Sequence, residues 1–427
     1  METIRRRLMD GVYFTYLQER KFKTNVLSAQ MVVPLDRRTA AGNALLPAVL
    51  RRGTARLADM QAISAALDNC YGARIDCTVR KKGENQCVGF VASMIDDHFT
   101  PGGEKRLEPV AELLGDLICS PATRSGRFVQ AYVQGERSNL VDQIRGQVND
   151  KRSYAALRLI QEMCAGEPYG ISRLGREQDV KKLSPGKLYR QYTALLRTAH
   201  LELFYCGSAE LNRVEQALLS AFSALPRAAA LTPAAQTMPH PPVQQTRYVT
   251  EEMDVTQGKL AIGFSCTSLD YPALLLFNMI YGGSATSKLF LNVREKESLC
   301  YYVSTVLHRQ KNMITLSSGV EFSQYQRALD EILAQLRAAQ SGRIEDWEEQ
   351  GARSIMNHAL RAMEDSLGQM EDFYLGQAVS GTGETVESLK RALDRVTRER
   401  MLEAAAGIVP DTVYFLKNQE HGEDAAQ

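Results

Sequence analysis

Histidine is scarce in this chain, and its six copies (His98, His200, His240, His308, His358, His421) stand far apart. That spacing excludes a local zinc motif built from two imidazoles one helical turn apart. The eight cysteines (Cys70, Cys77, Cys87, Cys119, Cys164, Cys206, Cys266, Cys300) form no C-x-x-C pair. They read as reduced core thiols rather than a disulfide or metal framework. No apolar run approaches the roughly 20 residues a membrane helix requires. The N-terminus, METIRRRLMDGVYFTYLQER, lacks the apolar segment and small-residue cleavage site of a secretory signal. The expected location is therefore cytoplasmic, with no membrane partner. An excess of one charge is also missing. Lys and Arg total 51 against 50 Asp and Glu, a formal charge of +1, which gives no electrostatic case for nucleic acid. Neither G-x-x-x-x-G-K-[ST] nor G-x-G-x-x-G occurs, so a phosphate cradle is excluded as well.

What is present suits a globular protein of two domains: 427 residues, 44% apolar and 24% charged. The most informative stretch is 281–304, YGGSATSKLFLNVREKESLCYYVS. It opens on the turn Gly282-Gly283-Ser284, where glycine permits positive φ or close approach by another chain. Leu289, Phe290 and Val293 then share one helical face. Leu299, Tyr301 and Val303 alternate with Cys300, Tyr302 and Ser304 as in a strand covered on both sides. Arg294 and Tyr301 stand where helix gives way to strand. Tyr302 reads as an interior ring and Cys300 as a core thiol.

The spacing G-G-S-x-x-S-x-L-F-x-x-V-R-E-K-x-S-L-C-Y resembles the second-domain signature of the pitrilysin/insulinase-type zinc peptidases, the inverzincins. The loop E-P-Y-G-x-x-x-x-G, beginning at Glu167, resembles a first-domain loop of the same family. The resemblance implies that Arg294 and Tyr301 reach a peptide held at a zinc site in another domain. It also makes Gly282, Gly283 and Ser284 candidate substrate-binding positions.

Along the chain, strands are expected at 13–18 and 25–35, helices at 39–52 and 59–69, and a strand pair at 73–80 and 86–93. Long helices at 107–119, 126–150 and 153–164 follow, then a helix at 183–196, a strand at 201–206 and a helix at 211–222. Residues 226–246, rich in Pro and Ala, read as a linker between a domain at 1–225 and another at 247–427. The second half repeats the order: strand 259–267, helix 272–281, the Gly-Gly turn with its helix, and strands 299–308 and 312–319. Helices at 323–339, 343–366, 368–379 and 386–405 and a strand at 412–416 complete it. The reading is α+β, a divergent duplication in which each copy is an antiparallel sheet with helices packed on one face. Residues 345–349 with Arg353 read as a charged outer face, and the acidic tail after Asn418 as frayed.

In zinc-bearing relatives the first long helix carries His-x-x-Glu-His, whose i, i+3 and i+4 positions share one face. Aligned on the Gly-Thr that follows, those positions here hold Ala44, Pro47 and Ala48. The later glutamate ligand falls on Gln143. Alanine offers no lone pair to a metal, and proline inside a helix costs roughly 3 kcal/mol, so Pro47 is expected near a helix start or kink. No metal or other cofactor is expected in this chain. The resemblance then implies a heterodimer whose partner supplies His-x-x-Glu-His and zinc, while this chain supplies Arg294 and Tyr301 in trans to a peptide or unfolded-protein substrate. The subgroup most similar is labelled as associated with aminopentanol modification of elongation factor P, and leader-peptide removal is a related context. The alternative is a structural or peptide-binding subunit with no part in catalysis.

Overall fold

The structure, a computed structural model, describes residues 3–419. The tail expected to fray lies, from residue 420 on, outside the described residues. By internal contacts the chain divides into two compact units. The first comprises Met1–Arg145, Ile171–Thr237 and Met363–Thr385; the second comprises Gly146–Gly170, Met238–Ala362 and Val386–Gln427.

The first unit holds β1 (Thr3–Met9), β2 (Val12–Gln18), β3 (Thr24–Pro34), β4 (Arg74–Lys82), β5 (Asn85–Ile95), a small hairpin of β6 (Thr123–Arg124) and β7 (Arg127–Phe128), and β8 (His200–Gly207). Its main sheet has the order β1-β2-β8-β3-β5-β4. Every pair is antiparallel except β2 with β8. The second unit holds β9 (Arg247–Glu252), β10 (Gly258–Cys266), β11 (Tyr302–His308), β12 (Met313–Val320) and β13 (Ile408–Lys417). Read from its far edge the order is β9-β13-β10-β12-β11, and only β13 and β9 run parallel. Strand for strand this matches β2-β8-β3-β5-β4. The duplication is therefore topological as well as sequential, and the fold is α+β with two homologous domains.

β3 reads as a nearly unbroken apolar run because it is buried on both faces. Leu27, Ala29, Met31 and Val33 join the main core with Leu45, Leu46 and Val49 of the helix Ala40–Leu50. On the other face, Val26 packs in a cluster with Met370 and Tyr374, and Val32 in one with Leu375 and Val379. Those four residues belong to the helix Leu367–Ser380, which comes from the second half of the chain. The converse holds in the second unit. The helix Lys151–Met163, from the first half, packs Ala155 and Leu159 against Ala261, Tyr414 and Leu416. Gly263 makes room for it, since a Cβ there would lie 2.3 Å from Met163 Sδ. Each half thus supplies one helix to the other half's sheet, on the face opposite the main helical layer.

Several boundaries differ from the sequence reading. The edge strands β1 and β9 were not foreseen. Both are charged, and neither shows the apolar alternation of a half-buried strand. The expected helix 126–150 begins instead with β7, is an α-helix over Gln130–Gly146 and ends in a 3-10 turn at Gln147–Asn149. The expected helix 386–405 is two, Val386–Asp394 and Arg398–Ala405. Glu348, read as part of an outer face, is buried and pairs with buried Lys288 at 2.8 Å.

Candidate functional site

Arg294 and Tyr301 come together in the second unit. After Tyr271–Asn278, the helical hydrogen bonding widens to π-type at Met279–Gly283 and again at Leu289–Lys296, a geometry frequent at functional sites. Gly282 and Gly283 do not adopt positive φ. Their role is close packing. A Cβ on Gly282 would lie 2.6 Å from Thr305 Cγ2, and one on Gly283 would lie 2.8 Å from Asn278 Nδ2. The Ser284 hydroxyl donates to the Met279 carbonyl at 3.0 Å. These three residues form a packed turn and do not line the recess described next.

The π-helical turn carries Arg294 on its last residues. Ser298, at φ +51°, turns the chain toward the edge strand β11. Arg294, Glu295, Ser298, Leu299, Cys300, Tyr301, Glu321 and Gln324 line one open recess of about 370 Å³. The Arg294 guanidinium sits 4.6 Å over the Phe290 ring and 3.6 Å from Glu295 Oε1, and its side chain is 39% exposed. Tyr301 is 58% exposed. Its backbone N–H is tied to the Gly319 carbonyl at 2.9 Å, and its hydroxyl donates to Glu321 Oε1. That bond to Glu321 holds the phenol above its ordinary pKa, so Tyr301 is a neutral donor at physiological pH. Burial pushes the Cys300 thiol up, as expected of a core cysteine. Tyr302 is half-buried under the Arg152 guanidinium at 4.3 Å, and its phenol is pushed by burial to about 12. Chemically, the recess has a cation and a phenolic donor in its lining. That pair suits a carbonyl oxygen gaining negative charge.

The positions aligned with the zinc ligands lie in the first unit. Ala44 and Pro47 are buried and Ala48 is half-buried in the helix Ala40–Leu50; Gln143 is exposed on the helix Gln130–Gly146. Pro47 is neither at the helix start nor a terminator. The helix continues past it, with the Arg51 N–H donating to the Pro47 carbonyl at 3.0 Å. None of the four side chains offers a thiolate, imidazole or carboxylate.

A second convergence of titratable groups, unforeseen from sequence, also lies in the second unit. Cys164 and Glu167 follow the helix Lys151–Met163, His240 lies in the Pro-rich stretch, and Asp411 is on β13. Ligand atoms of Cys164, Glu167 and His240 all lie within 4.8 Å of one another. His240 Nδ1 meets Glu167 Oε1 and lies 3.8 Å from Cys164 Sγ, while Nε2 is 3.0 Å from Asp411 Oδ2. Lys311 donates to the other Glu167 oxygen at 2.6 Å. Burial alone would lower the His240 pKa; hydrogen bonds to Asp411, Cys164 and Glu167 outweigh it and push it up to about 11. The signal available in sequence was Cys-x-x-Glu before the E-P-Y-G turn, with its histidine far downstream.

The profile of the family described as "Peptidase M16 inactive domain" matches residues 182–356. A relative from Bacillus subtilis, "Probable inactive metalloprotease YmfF", is 31% identical over 414 residues, 96% of each chain. A second from the same organism, "Uncharacterized zinc protease YmxG", is 24% identical over 166 residues, 38% of this chain and 41% of the relative. A conserved protein of known structure from Enterococcus faecalis superposes with a TM-score of 0.89 at 24% identity, covering 99% of this chain and 100% of that one.

Proposed function

Because the chain belongs to the M16 peptidase family, among members lacking the catalytic zinc ligands, we propose that it is the zinc-free subunit of a two-chain metallopeptidase. One observation carries this reading: Arg294 and Tyr301 line a single open recess; the resemblance, for its part, aligns Ala44, Pro47, Ala48 and Gln143 with the zinc ligands of active relatives. A partner chain with His-x-x-Glu-His holds zinc and its activated water. This chain brings the guanidinium and phenol to the scissile carbonyl. As the tetrahedral state forms, negative charge grows on the carbonyl oxygen. Donors aimed at that oxygen stabilise it more than the ground state. Tyr301 must exchange Glu321 for the substrate oxygen, so the recess is at rest when no peptide is bound. An extended peptide enters by strand addition along an open sheet edge, main-chain hydrogen bonds supplying affinity. Among the described residues no helix is long and apolar enough to cross a membrane; the reading places the pair in the cytoplasm. Removal of a leader from a ribosomally made precursor fits a cleavage role directly. No residue here speaks to elongation factor P modification.

The test is reconstitution with a zinc-bearing M16 partner and a quenched fluorescent peptide, comparing wild type with the Arg294→Ala/Tyr301→Phe double variant. A loss of turnover of at least about 10²–10³, the cost of removing one such donor, supports the reading. A second reading, a peptide-binding scaffold, draws on Glu321 already occupying the Tyr301 hydroxyl; under it the double variant turns over as wild type does.

A further inference from the structure

We propose that Cys164, Glu167 and His240 form a binding site for a thiophilic divalent cation, zinc foremost, separate from any catalytic zinc and housed within the second unit. The donor set is one sulfur, one imidazole nitrogen and one carboxylate oxygen, the combination zinc accepts and magnesium or calcium does not. The three ligand atoms converge within 4.8 Å of one another, so one ion can reach all of them. Cys164 is fully buried and His240 is 4% exposed, which keeps competing water away.

The surroundings orient the ligands. His240 Nε2 faces Asp411 Oδ2 at 3.0 Å, and Asp411 is itself fully buried and receives the Thr412 hydroxyl at 2.7 Å. Once Nδ1 has given up its proton, the carboxylate on the far nitrogen fixes the tautomer that turns Nδ1 to the metal, as in carboxylate–histidine–zinc arrangements. The His240 N–H donates to the Lys311 carbonyl at 2.7 Å, fixing the backbone that carries the ring. The Lys311 ammonium holds Glu167 Oε2 at 2.6 Å and leaves Oε1 toward the imidazole. The charged and titratable groups facing the cluster are thus Cys164, Glu167, Asp411 and Lys311, with Tyr169 beneath the Lys311 ammonium at 5.7 Å and His308 hydrogen-bonded to Tyr169 at 3.3 Å. On binding, Cys164 Sγ and His240 Nδ1 each release a proton to solvent. A divalent ion with a thiolate, two carboxylates and the lysine then sums to zero charge, the condition for holding ions in a buried place. The ion would tie the end of the helix Lys151–Met163 and the Glu167 loop to the Pro-rich stretch.

The experiment uses the full chain alone, tag-free and chelator-stripped. Zinc is titrated calorimetrically, and cobalt is titrated by absorbance, where a sulfur-to-cobalt charge-transfer band in the near ultraviolet reports a thiolate ligand. The expected result is one ion per chain with that band present. Cys164→Ser should abolish the band, and Glu167→Gln should weaken zinc binding by at least about tenfold. Both variants are compared with wild type by circular dichroism, so that misfolding is recognised. No zinc binding by the folded wild-type chain at micromolar concentration overturns the proposal. So does cobalt binding without the band, or undiminished zinc affinity in folded Cys164→Ser. No peptidase partner is involved, so either outcome leaves the reading of Arg294 and Tyr301 to its own test.

Discussion

Replacing Arg80 with alanine should destabilise the first unit severely, through a helix that belongs to the other half of the chain. Glu371, on the helix Leu367–Ser380, is 2% exposed, set between the apolar clusters around Val26 and Val32. It is satisfied by Arg80, at 2.5 and 2.8 Å, and by the Ser28 hydroxyl at 2.8 Å. The Arg80 side chain is 21% exposed, so solvent screens the pair little. Asp372, half exposed, pairs with Lys82 at 2.7 Å as well as with Arg80 at 3.2 Å. Arg80→Ala therefore leaves a buried carboxylate with one hydroxyl donor, a loss of about 3–5 kcal/mol. Urea denaturation of the full chain measures the cost, and hydrogen exchange locates it: amides of 367–380 and of β3 should lose protection first. The double variant Arg80→Met/Glu371→Leu, which removes both charges and keeps the volume, should recover most of the loss. A cost below about 1 kcal/mol for Arg80→Ala, or loss of protection confined to β4, would refute the reasoning.

Gly89→Ala should cost roughly 1–3 kcal/mol or more, because the added Cβ would lie 2.0 Å from the Ala29 carbonyl oxygen on the neighbouring strand; a thermal melt matching wild type would contradict it. Acid should weaken the second unit through Glu251, which accepts from Tyr154 at 2.7 Å, Arg158 at 2.9 Å and Tyr414 at 2.9 Å. Burial alone would raise its pKa, but these donors hold it below the ordinary 4.5. Its contribution is therefore complete above that ordinary value and is lost as pH falls through the lowered one. Glu251→Gln should flatten the acid limb of stability against pH below about 4.5, with little change in its slope at pH 7. An acid limb identical to wild type would sink that assignment.

How much of this was visible in the residues follows from what each pattern can encode. Strands buried on both faces, such as β3 and β10, announce themselves as apolar runs. The stretch 281–304 announces itself by type and spacing together. Edge strands β1 and β9 do not, because TIRRRLM and RYVTEE are charged and only half-bury a few residues, such as Ile4, Leu8 and Val249. The exchange of helices was invisible for a different reason. The apolar stripe of Lys151–Met163 says that it packs, but nothing in it says against which sheet. Pro47 sits inside the helix Ala40–Leu50 and not at its start, because a buried neighbourhood overrides the local propensity. The cluster of Cys164, Glu167, His240 and Asp411 could not be assembled from spacing, since the fold alone brings those segments together. Arg294 and Tyr301 were named from resemblance. That Glu321 holds the Tyr301 hydroxyl depends on the pairing of β11 with β12, which residue spacing does not encode.

The most direct measurement of the central claim is turnover of an unfolded peptide by this chain mixed with a zinc-bearing His-x-x-Glu-His chain of the kind proposed, with and without Arg294 and Tyr301. The account predicts that Arg294→Ala/Tyr301→Phe pairs normally and holds peptide, yet cleaves it at least about 10²–10³ times more slowly. Cleavage at the wild-type rate by the intact, correctly paired double variant would contradict it.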